Sequence, residues 1–292
     1  MRAPAISGMI LAPNFGRDRL ALPLVLLDQV LAVRDNYRQL KPSLRSSLSQ
    51  SDTENIIQAL DREIHVWSSQ LDQPEDVVES YCQILGEGDR SRLSRYKTEQ
   101  LRNRHTVARG ILVSLIALYT RKDVRQIELE SDGFHKPLLK TSTDGCVLQF
   151  SVSHCDQMAM YAFARRKLIG VDVESCRAPN DWTEVKEICF SDYEKAWFSK
   201  LPDANKAKRF VEAWTIKEAY LKAIGTGLAI SPASVELDFD EGSGYQLRRL
   251  PDEYNDGKRW NILSLSLVPG FTTAVVVEET AECKLRTLSW ES

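Results

Sequence analysis

The residues best suited to chemistry are two carboxylates one residue apart, Asp172 and Glu174, in the segment 169–174. If this segment is a β-strand, both carboxylates lie on one face, and Val171 and Val173 lie on the other. Two like charges at this spacing repel each other unless a proton or a cation lies between them. A hard divalent ion such as Mg²⁺, which takes oxygen ligands from carboxylates, water and phosphates, would neutralise the pair. An Asp-x-Glu pair alone is also compatible with a solvated strand face, so its interpretation depends on other segments.

A second segment, residues 209–224, has apolar residues at helical spacing and is followed by Gly225. This pattern predicts a long helix that ends at the glycine. Trp214, Glu218 and Lys222 are spaced four residues apart, so they lie along one stripe of the helix. Two interpretations of this stripe stay open: a surface Glu–Lys pair beside a packed tryptophan, or a carboxylate and an ammonium group that belong to a site.

A third segment, residues 90–109, is strongly basic and contains a single acid, Glu99. Planar guanidinium groups bind phosphate oxygens in pairs and stay charged, so clustered arginines indicate an anion-binding site. A solvated basic helix face is the alternative. The basic residues are Arg90, Arg92, Arg95, Lys97, Arg102, Arg104 and Arg109.

Two predicted strands would place the carboxylate pair close to the other candidate residues. Residues 158–164 and 168–174 should pair as an antiparallel hairpin through the short basic turn between them. This hairpin would place the carboxylates beside His154, at the end of the preceding strand. Upstream, Lys136 and Pro137 lie in a turn-rich stretch, where the proline ring biases the preceding residue towards an extended conformation.

Composition is that of an ordinary soluble globular protein. The chain has 292 residues, a net charge of −3, 43% hydrophobic residues and 27% charged residues. This length allows one or two domains.

Six scattered cysteines without a C-x-x-C pair indicate reduced thiols and therefore a cytoplasmic protein. Apolar runs are too short to span a bilayer, so we expect no membrane association. Residues 1–62 are predicted to be an N-terminal leader of unknown role.

Two motifs carry a resemblance to a known family. They are Gly170-x-Asp172-x-Glu174 and, about forty residues later, Trp214-x-x-Lys217-Glu218-Ala219-x-x-Lys222. Together they resemble the paired signature of the 4′-phosphopantetheinyl transferases, and the layout resembles their larger, pseudo-dimeric, surfactin-synthetase-activating class. The resemblance covers roughly residues 63–278. Upstream matches are Arg104, Ala108-Arg109, Lys136-Pro137 and Phe150-x-x-Ser153-His154. Ser151 and His135 depart from the pattern, because the family commonly has Asn and Gly at these positions.

The resemblance implies an α+β fold of two similar lobes related by a pseudo-two-fold axis. Each lobe would consist of a small antiparallel sheet packed against a long helix, with the active site in the cleft between the lobes. The first lobe would comprise residues 63–166 and the second residues 167–292, with the boundary near Arg166.

The resemblance also implies the reaction and its residues. Coenzyme A would donate its 4′-phosphopantetheine group to a serine of an apo acyl or peptidyl carrier protein, releasing 3′,5′-ADP. Asp172, Glu174 and Glu218 would bind Mg²⁺, or Mn²⁺ in its place. The catalytic residues would be Asp172, Glu218 as general base, directly or through a water, and Lys222, which would stabilise or protonate the departing 3′,5′-ADP. Coenzyme A would be bound by Arg90, Arg92, Arg104, Lys136, Pro137, Ser153, His154 and Lys222.

The implied partner is an acidic carrier protein of fatty-acid, polyketide or nonribosomal peptide biosynthesis, bound by a monomeric cytoplasmic enzyme that binds neither nucleic acid nor membrane. Two alternative functions are also compatible with parts of the sequence. Another Mg²⁺-dependent phosphoryl-transfer enzyme would need a phosphate loop, and no G-x-x-x-x-G-K-[ST] motif occurs. A non-enzymatic nucleic-acid-binding protein could use the basic helix of residues 90–109, but it would leave the carboxylates without a purpose.

Overall fold

A computed structural model of the chain describes residues 55, 58–130, 136–139, 148–240, 244–265, 267–279 and 284–290. All of them belong to one compact unit, Tyr37–Ser292. Nearly all of the predicted leader, residues 1–62, lies outside the described residues, as does His135.

The described strands and helices are as follows in chain order. The strands are β1 (Glu63–Gln70), β2 (Leu129–Glu130), β3 (Leu138–Leu139), β4 (Leu148–Cys155), β5 (Met158–Arg165), β6 (Ile169–Ser175), β7 (Glu236–Asp240), β8 (Gly244–Arg249), β9 (Trp260–Leu265), β10 (Phe271–Glu278) and β11 (Lys284–Trp290). The helices are α1 (Glu75–Ile84), α2 (Glu87–Leu93), α3 (Glu99–Thr120), α4 (Trp182–Cys189), α5 (Asp192–Ser199) and α6 (Asp203–Ile224).

The first sheet has the strand order β11-β1-β5-β4, and the long helix α3 covers one of its faces. The helix begins after Thr98, whose side chain accepts a hydrogen bond from the backbone N–H of Leu101. Ile111 and Leu115 of α3 pack against Phe163 of β5 in one apolar core. Most pairs in this sheet are antiparallel, but β11 runs parallel to β1. The sheet is therefore mixed, and its last strand comes from the C-terminal end of the chain.

The second sheet has the order β6-β10-β9, and the long helix α6 covers its outer face. Ile216 and Ala219 of α6 pack with Ala274 and Val276 of β10 in a second apolar core. The helix ends at Gly225, whose φ of 81° is left-handed, as the sequence predicts. The hairpin of β7 and β8 packs on the same core.

The two sheets pack face to face, so the layers run helix, sheet, sheet, helix. Alternate residues of the central strands make this arrangement possible. Met160 and Ala162 of β5 meet Val171 and Val173 of β6 in the core between the sheets, whereas Phe163 points towards α3. The predicted α+β fold of two similar sheet-and-helix lobes is confirmed. We retain the division near Arg166 as a proposal, with β11 returning to the first sheet.

The predicted hairpin of residues 158–164 and 168–174 is wrong. In the structure β5 lies between β1 and β4, so neither of its edges is free to pair with β6. The segment between the two strands instead carries the chain from one sheet to the other, with Arg166 in the left-handed region at a φ of 59°. None of the helices in the described ranges has the length and apolarity needed to cross a bilayer.

Candidate active site

Strand β6 brings the carboxylate pair against helix α6 because of a close contact at Gly170. A Cβ atom at this position would lie 1.9 Å from the carbonyl oxygen of Ala219 and 2.5 Å from the backbone nitrogen of Ala223. Only glycine allows the strand to approach the helix this closely. Asp172 and Glu174 follow at alternate positions on the same strand. The motif glycine therefore sets the distance between the strand acids and the helix residues.

Asp172 is at the centre of a network of short polar contacts. Its side chain is buried, with 2% of its surface exposed. The Oδ1 atom accepts hydrogen bonds from Ser153 Oγ at 2.7 Å and from Lys222 Nζ at 2.6 Å. Lys222 Nζ also donates to Ser153 Oγ at 2.8 Å. Asp172 Oδ2 is buried without a hydrogen-bond partner. One carboxylate oxygen is thus fully engaged and the other is available.

Glu174 is held by the tryptophan of the helix stripe. Trp214 Nε1 donates to Glu174 Oε1 at 3.0 Å. Burial raises the pKa of Glu174, and the negative charge of Asp172 raises it further. The tryptophan of the second motif is therefore a direct partner of an acid in the first motif.

Glu218 comes from the opposite wall, on α6. It is 8% exposed, and its Oε1 atom is buried without a hydrogen-bond partner. Burial raises the pKa of Glu218 to about 7; the charges of Asp172 and Glu174 act in the same direction, while Lys222 opposes them. A carboxyl group with a pKa near neutrality can both accept and release a proton under physiological conditions.

These side chains line one cavity of about 280 Å³ between the two sheet-and-helix layers. Its lining residues are Val152, Ser153, His154, Asp172, Glu174, Trp214, Glu218, Lys222 and Leu228. All three predicted metal ligands and all three predicted catalytic residues are among them. We call this space the carboxylate cavity.

The carboxylate cavity fits a divalent cation in its chemistry. Two buried carboxylate oxygens without partners, Asp172 Oδ2 and Glu218 Oε1, are the hard donors that Mg²⁺ and Mn²⁺ take. Glu174 adds a third carboxyl group. Within the described residues, however, no three His, Cys, Asp or Glu side chains are arranged as a ready metal-binding group. The ammonium of Lys222 lies on Asp172 instead.

A second cavity of about 290 Å³ adjoins the first, because both are lined by Val152 and His154. Three aromatic rings contact one another along it. Tyr96 lies parallel to His105 at a ring distance of 3.8 Å, and His105 meets His154 edge-on at 4.5 Å. Burial lowers the pKa of His105 to about 4, so this ring is neutral at physiological pH. The remaining lining residues are Asp89, Arg92, Leu93, Ala108, Arg109, Leu112 and Pro137. We call this space the aromatic cavity.

The predicted coenzyme-binding residues divide into two groups. Arg92, Pro137, Ser153, His154 and Lys222 line one or both of these cavities.

Arg90, Arg104 and Lys136 line neither cavity. Arg90 is exposed on α2. Arg104 donates to both oxygens of Asp72, at 2.6 and 2.8 Å. Lys136 Nζ donates to the carbonyl oxygen of Ile169 at 2.8 Å, and burial lowers the pKa of this lysine to about 8. Their role in coenzyme binding stays a prediction.

Tyr96 and His105 of the aromatic cavity were not singled out from the sequence, and Arg109 was named only in the basic segment and in the Ala108-Arg109 match. Helical spacing was the available signal, because His105, Ala108, Arg109 and Leu112 follow the pattern i, i+3, i+4, i+7 along one face of α3. Arg109 Nη2 pairs with Asp89 Oδ1 at 2.9 Å. Tyr96 lies outside α3, and only the folded chain shows that it stacks on His105.

Comparisons with known proteins show the family of the chain. Residues 168–276, which include both motifs, match the model of the 4′-phosphopantetheinyl transferase superfamily. The 4′-phosphopantetheinyl transferase HetI of Nostoc sp. is 34% identical to the chain over 170 residues, an alignment that covers 58% of this chain and 72% of that protein. The chain belongs to the 4′-phosphopantetheinyl transferase superfamily.

Other members of the superfamily are more distant. The phosphopantetheinyl transferase of Thraustochytrium sp. is 26% identical over 187 residues, covering 59% of this chain and 63% of that protein. The transferase Sfp of Bacillus subtilis is 21% identical over 212 residues, covering 72% of this chain and 90% of that protein. The predicted family is thereby confirmed, and similarity to Sfp along most of its length is consistent with the larger class.

Proposed function

We propose that this enzyme transfers the 4′-phosphopantetheine group of coenzyme A to a serine of an apo acyl or peptidyl carrier protein and releases 3′,5′-ADP. The observation that carries the proposal is the carboxylate cavity, where Asp172, Glu174 and Glu218 from two distant motifs line one space with Lys222. Membership of the transferase superfamily supports the same reaction and favours it over the two alternatives. Neither a phosphate-loop enzyme nor a nucleic-acid-binding protein requires this combination.

Coenzyme A carries a diphosphate and a 3′-phosphate, so it needs cations and a flat surface for its adenine. The aromatic cavity offers both, with Arg92 among its cations and with Pro137 and the rings of Tyr96, His105 and His154. Arg104 and Lys136 would join this site by exchanging their present partners for phosphate oxygens. The diphosphate would extend into the carboxylate cavity towards Ser153 and Lys222.

Asp172, Glu174 and Glu218 would hold Mg²⁺ or Mn²⁺. When bound, the ion supplies positive charge that offsets the charge on the phosphoryl group being transferred. Trp214 keeps Glu174 oriented through its hydrogen bond.

In the reaction, the serine Oγ of the carrier attacks the β-phosphorus of coenzyme A. A new oxygen–phosphorus bond forms while the bond from that phosphorus to the 3′,5′-ADP oxygen breaks. Glu218 accepts the serine proton, directly or through a water. The ammonium of Lys222 stabilises the departing phosphate oxygen. The nucleophile belongs to the carrier, so the enzyme needs no nucleophilic serine or cysteine of its own.

Mass spectrometry of the carrier tests this reaction. The enzyme, coenzyme A and Mg²⁺ are incubated with acidic apo carriers of the fatty-acid, polyketide and peptide types, and each carrier is weighed intact. We expect at least one carrier to gain one phosphopantetheine group. Asp172→Ala should abolish the gain, while Asp203→Ala, an exposed acid paired with Lys206 on the same helix, should not. Full transfer by Asp172→Ala, or no gain with any carrier, would contradict the proposal.

The cellular setting is part of the same proposal. We propose a monomeric, cytoplasmic enzyme that recognises its acidic carrier by charge complementarity and binds neither nucleic acid nor membrane. Sedimentation of the purified chain with and without carrier tests the monomeric state, because a stable dimer in the absence of carrier would contradict it.

A further inference from the structure

The ion pair between Lys222 and Asp172 has a consequence for cation binding. Lys222 Nζ lies 2.6 Å from Asp172 Oδ1 and 2.8 Å from Ser153 Oγ. Because the serine oxygen accepts from the lysine, its own hydrogen is directed to Asp172 Oδ1, 2.7 Å away. The three side chains form a closed triangle in which the ammonium neutralises a buried carboxylate.

A divalent cation at Asp172 would meet this ammonium. The two positive charges would repel each other in a cavity that is partly shielded from water, where charge interactions are stronger than in bulk solvent. Only Asp172 Oδ2 and Glu218 Oε1 are buried without partners among the cavity's carboxylate oxygens. The described residues accordingly form no ready three-ligand group. The lysine and the cation are therefore competitors for the same acid.

We infer that Lys222 acts as an internal counter-ion that occupies Asp172 in the free enzyme and leaves it for the coenzyme's diphosphate when coenzyme A binds. The inference rests on the proposed function. The diphosphate gives the ammonium a new anionic partner, and the departure of Lys222 removes the positive charge that repels the cation from Asp172. Binding of coenzyme and cation is then coupled, and by linkage each increases the affinity for the other. The cation therefore binds more tightly when the substrate it serves is present.

Cation binding without coenzyme tests the inference. Mn²⁺ is titrated into the purified enzyme, and free Mn²⁺ is measured by electron paramagnetic resonance. We expect Lys222→Met to bind Mn²⁺ about tenfold more tightly than the unchanged enzyme, a coupling of ordinary size. Lys208→Met, which removes a lysine 3.8 Å from Glu212 on the same helix, is the matched control and should bind Mn²⁺ like the unchanged enzyme. Adding Asp172→Asn to Lys222→Met should abolish the increase in Mn²⁺ affinity.

Thermal unfolding gives a second readout. Without Lys222, the buried Asp172 lacks its counter-ion, so Mn²⁺ should raise the Tm of Lys222→Met more than that of the unchanged enzyme. Lys222→Gln, which also removes the charge but keeps a hydrogen-bond donor, should behave in the same way and serves if the methionine variant does not fold.

Equal or weaker Mn²⁺ binding in both charge-removing variants would overturn the inference, whatever the transfer assay shows. Failure of carrier modification by the unchanged enzyme would instead count against the proposed function and leave the Mn²⁺ result to be judged separately.

Discussion

Helices α3 and α6 are each 22 residues long and each covers one sheet, yet they bury different chemistry. The face of α3 that packs on the first sheet is built from apolar side chains such as Ile111 and Leu115. The buried part of α6 includes Lys217 and Glu218. The buried residues of α3 include no lysine, arginine, aspartate or glutamate, whereas those of α6 include a lysine and a glutamate, and a charge inside the protein needs a specific partner.

Lys217 and Glu218 show how different two neighbouring buried charges can be. Lys217 has no exposed surface; its ammonium donates to Glu194 Oε2 at 2.7 Å and to the carbonyl oxygens of Cys189 and Pro232, each at 3.0 Å. Glu218 faces the carboxylate cavity with an oxygen that has no partner. The satisfied charge ties α6 to the elements around it, and the unsatisfied one is available for chemistry.

Replacing Glu218 should have the largest effect on turnover. Glu218→Gln keeps the shape of the side chain but cannot accept the serine proton, so we expect kcat to fall by about 10²–10⁴-fold with little change in the KM for coenzyme A. Steady-state transfer kinetics measure both. Glu212→Gln, a carboxyl group on the same helix paired with Arg209, is the control. An increase in KM alone would assign Glu218 a binding role instead.

Replacing Lys217 should mainly affect stability. Lys217→Met leaves the buried Glu194 without its ammonium partner, and breaking a buried pair in this way typically costs about 3–5 kcal/mol. The free energy of unfolding from urea titrations measures the loss. Adding Glu194→Gln should restore part of it, because the remaining side chain is then neutral. A loss no greater than that of Lys208→Met, an exposed lysine on α6, would show that the buried pair contributes little.

Two glycines, Gly110 in the first sheet-and-helix layer and Gly170 in the second, allow the two layers to be compared directly. A Cβ at Gly170 would meet the backbone of α6, at Ala219, whereas a Cβ at Gly110 would lie 2.3 Å from the side chain of Tyr81. Both alanine variants should lose roughly 1–3 kcal/mol of stability through overpacking. Only Gly170→Ala should also lower kcat, because it pushes the helix that carries Glu218 away from the strand that carries Asp172. Equal kcat losses in the two folded variants would remove this distinction.

The last prediction concerns the pH dependence of stability at the aromatic cavity. The folded pKa of His105 is about 4, below its ordinary value of 6.5. Between these two values the unfolded chain binds a proton that the folded chain does not, so acid favours unfolding in this window and stability rises with pH. His105→Phe keeps a ring against Tyr96 but cannot be protonated. Its free energy of unfolding, measured by urea titration from pH 7 to 4, should fall less steeply than that of the unchanged protein. Identical slopes would contradict this expectation.

The sequence alone was sufficient to predict which side chains share a face of β6 and of α6 in the second layer. Alternation along residues 169–174 separated the acids from the valines, and four-residue spacing put Trp214, Glu218 and Lys222 on one stripe; the structure has the acids and the stripe lining the same cavity. The family followed from these motifs. Periodicity determines which side chains share a face of a strand or helix, because it depends only on the repeat of the backbone.

Only the tertiary structure decided which elements meet. It separated β5 from β6, returned β11 to the first sheet and paired Arg104 with Asp72, 32 residues away in the chain. It also stacked Tyr96 on His105 and buried Asp172 beneath Lys222. These contacts depend on which strand edges are free and which side chains fill the remaining space, and both are settled by packing among segments far apart in the chain.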